Sequence, residues 1–282
     1  METERASSKR LAYFGPAGTF TEEAALAYDA QAQLLPFATI AAVASAVEAG
    51  MADEGVVPIE NSLEGSVSAT LDLLIHESSL VIRREVILPI DHYLMVVPGT
   101  QVGDVKAVYS HPQAMGQCRR FLERCFPKAQ MVAALSTAAA VEEMLARSDA
   151  AAIATHRAAQ IYNVQALARG IQDRQANLTR FVVLADADHP PTGHDKTSIA
   201  FSFADDRPGL LVAILAEFAR RSINLTKVES RPTKERLGEY IFLLDLEGHR
   251  QDPPVAEGLK AVAGQVALLK VFGSYPRYTP IS

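Results

Sequence analysis

The chain has 282 residues, 49% hydrophobic and 21% charged, with a formal net charge of −6. Enough apolar surface is present to offset ordering entropy, which excludes intrinsic disorder, and the length suits two or three compact units. No apolar run reaches the roughly 18 residues a membrane span needs, the charged Met1–Arg10 stretch before the short Leu11–Phe14 run does not read as a signal peptide, and the acidic balance argues against a nucleic-acid partner.

The first two-thirds of the chain alternates short apolar strands with helical patterns. Strands are predicted at Leu11–Gly15, Leu34–Ala38 and Gly55–Ile59, with helices at Thr19–Tyr28 and Ile40–Ala49 between them. The third strand ends in a polar Glu60-Asn61-Ser62 turn. Leu80–Val97 is β-rich and broken by Pro89, and reads as a crossing between two lobes. Val105–Tyr109, Met131–Leu135 and Ala151–Ala154 repeat the theme, with helices after the first two. Such alternation predicts α/β layers on a largely parallel sheet.

Two alanine-rich helices echo each other. One opens at Thr39-Ile40-Ala41-Ala42-Val43 and the other at Ser136-Thr137-Ala138-Ala139-Ala140, each behind a hydroxyl suited to capping. They read either as two similar lobes facing a cleft or as two ordinary βα units.

Asp186–Asp195 is polar and proline-rich, and reads as a linker. Beyond it come a strand at Thr197–Phe203, a turn at Asp205–Gly209 and a helix at Leu210–Arg221. Strands at Leu225–Ser230 and Tyr240–Leu246 flank a turn at Lys234–Gly238, then a helix at Pro253–Gly264 and a strand at Ala267–Phe272 follow. The order βαββαβ is the ferredoxin-like pattern. Charge divides with the domains. From Lys196 onward 12 basic and 10 acidic residues give +2, while the preceding part carries −8. The acidic part can hold an anion only through locally placed donors.

Cys118 and Cys125 lie seven apart, about 10.5 Å along a helix and too far for a disulfide. Both read as small core residues of a protein in a reducing, cytoplasmic compartment. No Cys/His spacing resembles a zinc site, and no G-x-G-x-x-G or P-loop occurs, so neither metal nor cofactor is expected.

Five segments combine polarity with tight spacing. Gly15-Pro16-Ala17-Gly18-Thr19-Phe20 joins a strand to a helix whose start suits a carboxylate, or is a plain turn capped by Thr19. Pro58-Ile59-Glu60-Asn61-Ser62 sets three polar side chains at a sheet edge, the usual ligand position of open α/β sheets, or is a capped turn. Tyr109-Ser110-His111-Pro112-Gln113 ends another strand, with His111 and Gln113 able to face the same cleft. Ser136-Thr137 has the same geometry, with capping the simpler role. In Asn177-Leu178-Thr179-Arg180-Phe181, strand alternation sets Asn177, Thr179 and Phe181 on one face and Arg180 on the other.

Taken in this order, the segments resemble the prephenate dehydratase family over about Arg10 to the C-terminus. Asn177-Leu178-Thr179-Arg180-Phe181 matches the family's N-x-T-R-F, and Glu229-Ser230-Arg231-Pro232 matches the E-S-R-P effector motif of its ACT regulatory domain. The resemblance implies a two-lobed, periplasmic-binding-protein-like catalytic domain over residues 8–187 and a ferredoxin-like ACT domain over residues 196–282. It implies loss of carbon dioxide and water from prephenate to give phenylpyruvate, with ring aromatisation driving the step and no electron sink needed. Thr179, with Glu60 and His111 as relays, is assigned the leaving-group step. Because an aliphatic hydroxyl is a very weak acid, Thr179 is expected to act as a positioned hydrogen-bond donor. Thr19, Asn61, Ser62, Gln113, Ser136, Thr137, Arg180 and Phe181 are expected to hold the substrate. L-phenylalanine is expected where Gly209, Leu210 and Leu211 meet Asn224, Glu229, Ser230, Arg231 and Pro232 of a partner chain, in a homodimer or homotetramer. The family commonly has alanine where Leu210 stands, which narrows that pocket. The competing readings are the same chemistry on arogenate and a non-catalytic amino-acid sensor.

Overall fold

The computed structural model describes residues 8–205, 207–233 and 239–279. The turn expected at 234–238 and Asp206 of the turn at 205–209 lie outside the described residues. The chain divides into two compact units, one formed by residues 1–70 and 86–181, the other by residues 71–85 and 182–282. The division falls inside one helix and two strands rather than in the proline-rich linker, and 71–85 groups with the C-terminal part. Among the described residues, no helix is long and apolar enough to cross a membrane.

The first unit holds one whole sheet and the larger part of another. Strand β1 (Arg10–Phe14), helix α1 (Phe20–Tyr28), β2 (Gln33–Phe37), α2 (Ile40–Glu48) and β3 (Glu54–Asn61) build the first, with β2 and β3 parallel to β1. The two-residue β4 (Gly65–Ser66) pairs back on the end of β3, so Glu60 and Asn61 are strand residues rather than the expected turn. Helix α3 (Ser68–Asp72), one π-helical turn and β5 (Val81–Pro89) follow.

The second sheet repeats the plan. After β6 (Tyr93–Val96) come β7 (Ala107–Ser110), α4 (Pro112–Gln117), α5 (Arg119–Cys125), β8 (Gln130–Ala133), α6 (Thr137–Leu145) and β9 (Ala150–Ala154), with β8 and β9 parallel to β7. Helix α7 (His156–Tyr162), which the sequence reading lacked, leads to β10 (Gln165–Arg169) and β11 (Leu178–Ala185). The sheet orders are β2-β1-β3-β11-β5 and β10-β6-β9-β7-β8, the latter closed by antiparallel β6 and β10. The two alanine-rich helices hold equivalent places. Thr39 caps α2 by accepting from Ala42 N–H at 3.0 Å, and Ser136 caps α6 by accepting from Ala139 N–H at 2.9 Å. Small residues let α6 sit close on a sheet whose β9 is Ala-Ala-Ala-Ile-Ala, all buried.

The α4–α5 helix breaks at Cys118, which is buried, whereas Cys125 is exposed. The expectation that both are core residues is corrected for Cys125, because Leu122 and Phe126 take the core positions at that end of α5 and Cys125 lies off their face.

The second unit carries β12 (Asp195–Ser202), α8 (Leu210–Ala219), β13 (Leu225–Pro232), β14 (Tyr240–Glu247), α9 (Pro253–Ala263) and β15 (Leu268–Pro276). Its antiparallel sheet, ordered β13-β14-β12-β15, is the ferredoxin-like arrangement. Alternation along β12 sends Ile199 and Phe201 into an apolar core with Ile214, Phe218, Val255 and Val262 of the two helices. Segment 71–85 joins this unit through several bonds. Lys196 Nζ lies 2.9 Å from Glu85 Oε2, Arg231 lies 3.0 Å from Asp72, and Lys270 donates to the carbonyls of Ile75 and Ser78. Gly273 has φ 140°, and a Cβ there would come 2.3 Å from the Ile82 carbonyl oxygen, so no other residue fits.

Candidate active site

The carboxyl ends of β1, β2, β3 and β7 open onto one cavity of about 750 Å³ in the first unit. Its apolar walls include Phe14, Pro36, Phe37, Ile90 and Phe181. Its polar lining includes Thr19, Asn61, His92, His111, Gln113, Gln117, Ser136, Thr137 and Thr179, and, among the described residues, neither Lys nor Arg. Positive potential comes instead from helix N-termini. Residues at the starts of α1, α2, α4 and α6 all line the space, each helix directing its partial positive end toward it.

The polar residues form one hydrogen-bonded chain. Asn61 Nδ2 donates to Thr179 Oγ1 at 2.9 Å and to Asn177 Oδ1 at 2.8 Å. Asn61 Oδ1 accepts from the backbone N–H groups of Leu63 and Glu64, which fixes which amide atom is which. Asn177 Nδ2 donates to Gln117 Oε1 at 3.0 Å, and Gln117 Nε2 donates to Glu64 Oε1 at 3.0 Å. Thr179 Oγ1 accepts in its bond with Asn61, so its own proton is left for another partner.

Several expected residues therefore meet in one place: Thr19, Asn61, His111, Gln113, Ser136, Thr137, Thr179 and Phe181 all line the cavity. Three of them also cap helices. Thr19 accepts from Glu22 N–H and gives its proton to the Pro16 carbonyl at 2.9 Å, which leaves the helix N-terminus rather than the hydroxyl to meet an anion. His111 Nδ1 accepts from Gln113 N–H, and Ser136 caps α6. Glu60, Ser62 and Arg180 do not line the cavity. Arg180 Nη2 lies 2.9 Å from Glu60 Oε2, the two side chains paired between neighbouring strands as the alternation argument required for Arg180. Ser62 accepts from Leu178 N–H and donates to the Ala176 carbonyl, stapling β3 to the start of β11.

Gln117 and His92 were missed. Gln117 lies four residues after Gln113 on α4, a same-face spacing that could have found it. His92 stands alone between β5 and β6, with no local pattern to single it out. It is 2% exposed, and burial holds its imidazole below the usual histidine range against the opposing Gln117 hydrogen bond.

In the second unit, Gly209 is the N-cap of α8 with φ 90°, and Leu210 and Leu211 behind it are half-buried. Asn224 and Ser230 are exposed, Glu229 lies 3.0 Å from Lys227, and Arg231 is ion-paired with Asp72. Glu229–Pro232 end β13, at the edge of the sheet.

The sequence profile of the prephenate dehydratase family matches residues 11–189, and that of the ACT domain matches residues 197–264. A bifunctional chorismate mutase/prephenate dehydratase of Aquifex aeolicus is 44% identical over 269 residues, covering 95% of this chain and 74% of its own length. A prephenate dehydratase of Mycolicibacterium vanbaalenii is 41% identical, covering 94% of this chain and 90% of its own. The crystal structure of a prephenate dehydratase from Arthrobacter aurescens in complex with L-Phe superposes with a TM-score of 0.87 at 36% identity, covering 95% of this chain and 90% of that one.

Proposed function

The chain belongs to the prephenate dehydratase family, and from that premise we propose that its 750 Å³ cavity is where prephenate is turned into phenylpyruvate. Prephenate is a dianion. The bond to its ring carboxylate breaks, the electron pair aromatises the ring, and the ring hydroxyl departs with one added proton. Prephenate and a proton thus give phenylpyruvate, carbon dioxide and water. The groups required are anchors for two carboxylates, a donor at the departing oxygen and an apolar wall for the ring.

The helix N-termini of α1, α2, α4 and α6 anchor the carboxylates, which a cavity without a cationic side chain otherwise lacks. Phe181 walls the ring. The observation that carries the reading is the bond from Asn61 to Thr179, because it turns the threonine into a donor aimed by its acceptor side. Thr179 stabilises the departing hydroxide, and the proton consumed comes from solvent, with His111 on the cavity wall as the relay. Gln113, Ser136 and Thr137 hold the pyruvyl side chain. Glu60 and Arg180 keep β3 and β11 in register behind the site.

The C-terminal ACT domain binds L-phenylalanine and makes catalysis answer to it. Gly209, Leu210, Leu211, Asn224, Glu229, Ser230, Arg231 and Pro232 form that site between two copies. The edge strand β13 supports this, because its outer backbone groups are open to a neighbour. The enzyme works in the cytoplasm as a homodimer or homotetramer, which sedimentation measures directly.

Incubating the purified protein with prephenate tests the reading. Phenylpyruvate should accumulate in the ultraviolet assay, faster than phenylalanine forms from arogenate. Phenylalanine binding without turnover would leave a sensor instead.

A further inference from the structure

The direction of every bond in the cavity chain is fixed from one end. Asn61 Oδ1 must accept, because two backbone N–H groups point at it. Asn61 Nδ2 must then donate, so Asn177 offers Oδ1 to it and turns Nδ2 toward Gln117. Gln117 answers with Oε1, and its Nε2 faces the Glu64 carboxylate. His92 Nε2 lies 2.8 Å from that same Oε1, which is an acceptor only. His92 must therefore carry its proton on Nε2. Its Nδ1 is buried with no hydrogen-bond partner among the described residues, so no group there accepts a proton from it, in keeping with the Nε2–H tautomer. The imidazole is itself held. Its backbone N–H donates to Gln172 Oε1 at 3.0 Å, and Phe20 meets the ring edge-on at 5.7 Å.

We propose that His92 is a positioning residue for the dehydration. Its Nε2–H locks the Gln117 amide, and through Asn177 and Asn61 the lock keeps the Thr179 proton turned to the cavity. The inference rests on the functional reading above and deepens it. Without the Nε2 donor, the Gln117 amide keeps only the bond from Asn177 and the solvent-exposed bond to Glu64, and it rotates more readily. A rotated Gln117 presents an NH₂ group to Asn177 Nδ2, and two donors face each other in a buried site. That conflict passes to Asn61, whose only adjustable bonds are those to Asn177 and Thr179.

The test compares His92→Leu, which keeps volume and loses the donor, with His92→Gln, whose terminal N–H reaches the same place. His92→Leu should lower kcat at least about tenfold with KM within about threefold. His92→Gln should restore most of that loss. Equal kcat in the leucine variant and wild type would overturn the proposal, as would equal loss in both variants. A second measurement needs no folded leucine variant. Nitrogen NMR of wild-type protein labelled at histidine, with the His92 signal identified by its absence in His92→Gln, should show the Nε2–H tautomer. The Nδ1–H form would overturn the proposal. Wild-type protein without phenylpyruvate formation would sink the functional reading while the tautomer still decides the hydrogen-bond chain.

Discussion

A single hydroxyl separates the catalytic reading from a binding one. Thr179 is 9% exposed, lines the cavity and takes a bond from Asn61, so its own proton is available to an oxygen in that space. Thr179→Ala should cut kcat by about 10²–10³, the usual cost of losing one preorganised donor, with a small change in KM, and Thr179→Ser should keep most of the rate. An alanine variant with wild-type kcat would remove the hydroxyl from the mechanism. The two thiols should also behave differently. Burial pushes Cys118 up to about 12, whereas Cys125 is exposed. A thiol reagent should label one cysteine in the native protein and two in denaturant. Burial likewise raises Tyr13 to about 12. Both groups are neutral in folded and unfolded chains near neutral pH. As pH rises through the ordinary values, 9.0 for the thiol and 10.0 for the phenol, and on toward 12, only the unfolded chain sheds these protons, so both contributions fade. The urea midpoint should fall across that range, less steeply in Cys118→Ala.

At the scale of elements, the same motif serves two ends of one design. Thr39 and Ser136 cap equivalent helices, but only Ser136 lines the cavity. Thr39→Ala and Ser136→Ala should each cost about 1 kcal/mol of stability through the lost cap. Only Ser136→Ala should also raise KM for prephenate. Equal KM in the two variants would reduce Ser136 to a cap. The close approach of Gly18 to Ala158 and Ala138, near 3.3 Å for a Cβ placed there, shows how α1 is brought against α6 and α7. Beside that contact Arg157 Nε and Nη2 both donate to Glu22 Oε1, at 3.3 and 3.1 Å, while Glu22 Oε2 accepts from Gly18 N–H. The two sheets of the first unit are thereby held where their strand ends share one space.

For the molecule as a whole, segment 71–85 changes what a truncation means. Removing residues from Lys196 onward should abolish the response to phenylalanine, because the effector motif goes with it. The remainder should also melt at lower temperature, since 71–85 loses the bonds made to it by Lys196, Arg231 and Lys270. Retained inhibition would place the effector elsewhere, and an unchanged melting temperature would contradict the role given to 71–85. Gly273→Ala probes the same region without truncation. With a Cβ 2.3 Å from the Ile82 carbonyl oxygen and φ at 140°, it should cost roughly 2–4 kcal/mol in denaturant unfolding.

Local pattern carried much of this protein. Alternating βα units, hydroxyl caps at Thr19, Thr39 and Ser136, and the Asn177–Phe181 alternation are all set by neighbours within one or two turns, and they could be read from the chain alone. The strand period placed Arg180 away from Thr179, and its pairing with Glu60 follows from that geometry. Tertiary structure decided what depends on distant partners. Ser62 became a staple because Leu178 arrives 116 positions later. Gln117 and His92 enter a hydrogen-bond chain with Asn177, Asn61 and Thr179 that only the folded chain brings together. Segment 71–85 joined the C-terminal sheet through Lys196, Arg231 and Lys270, charges whose partners no periodicity announces. Hydrophobic period is a property of adjacent residues, whereas a buried polar bond is a property of two segments that meet, and the site is made of the latter.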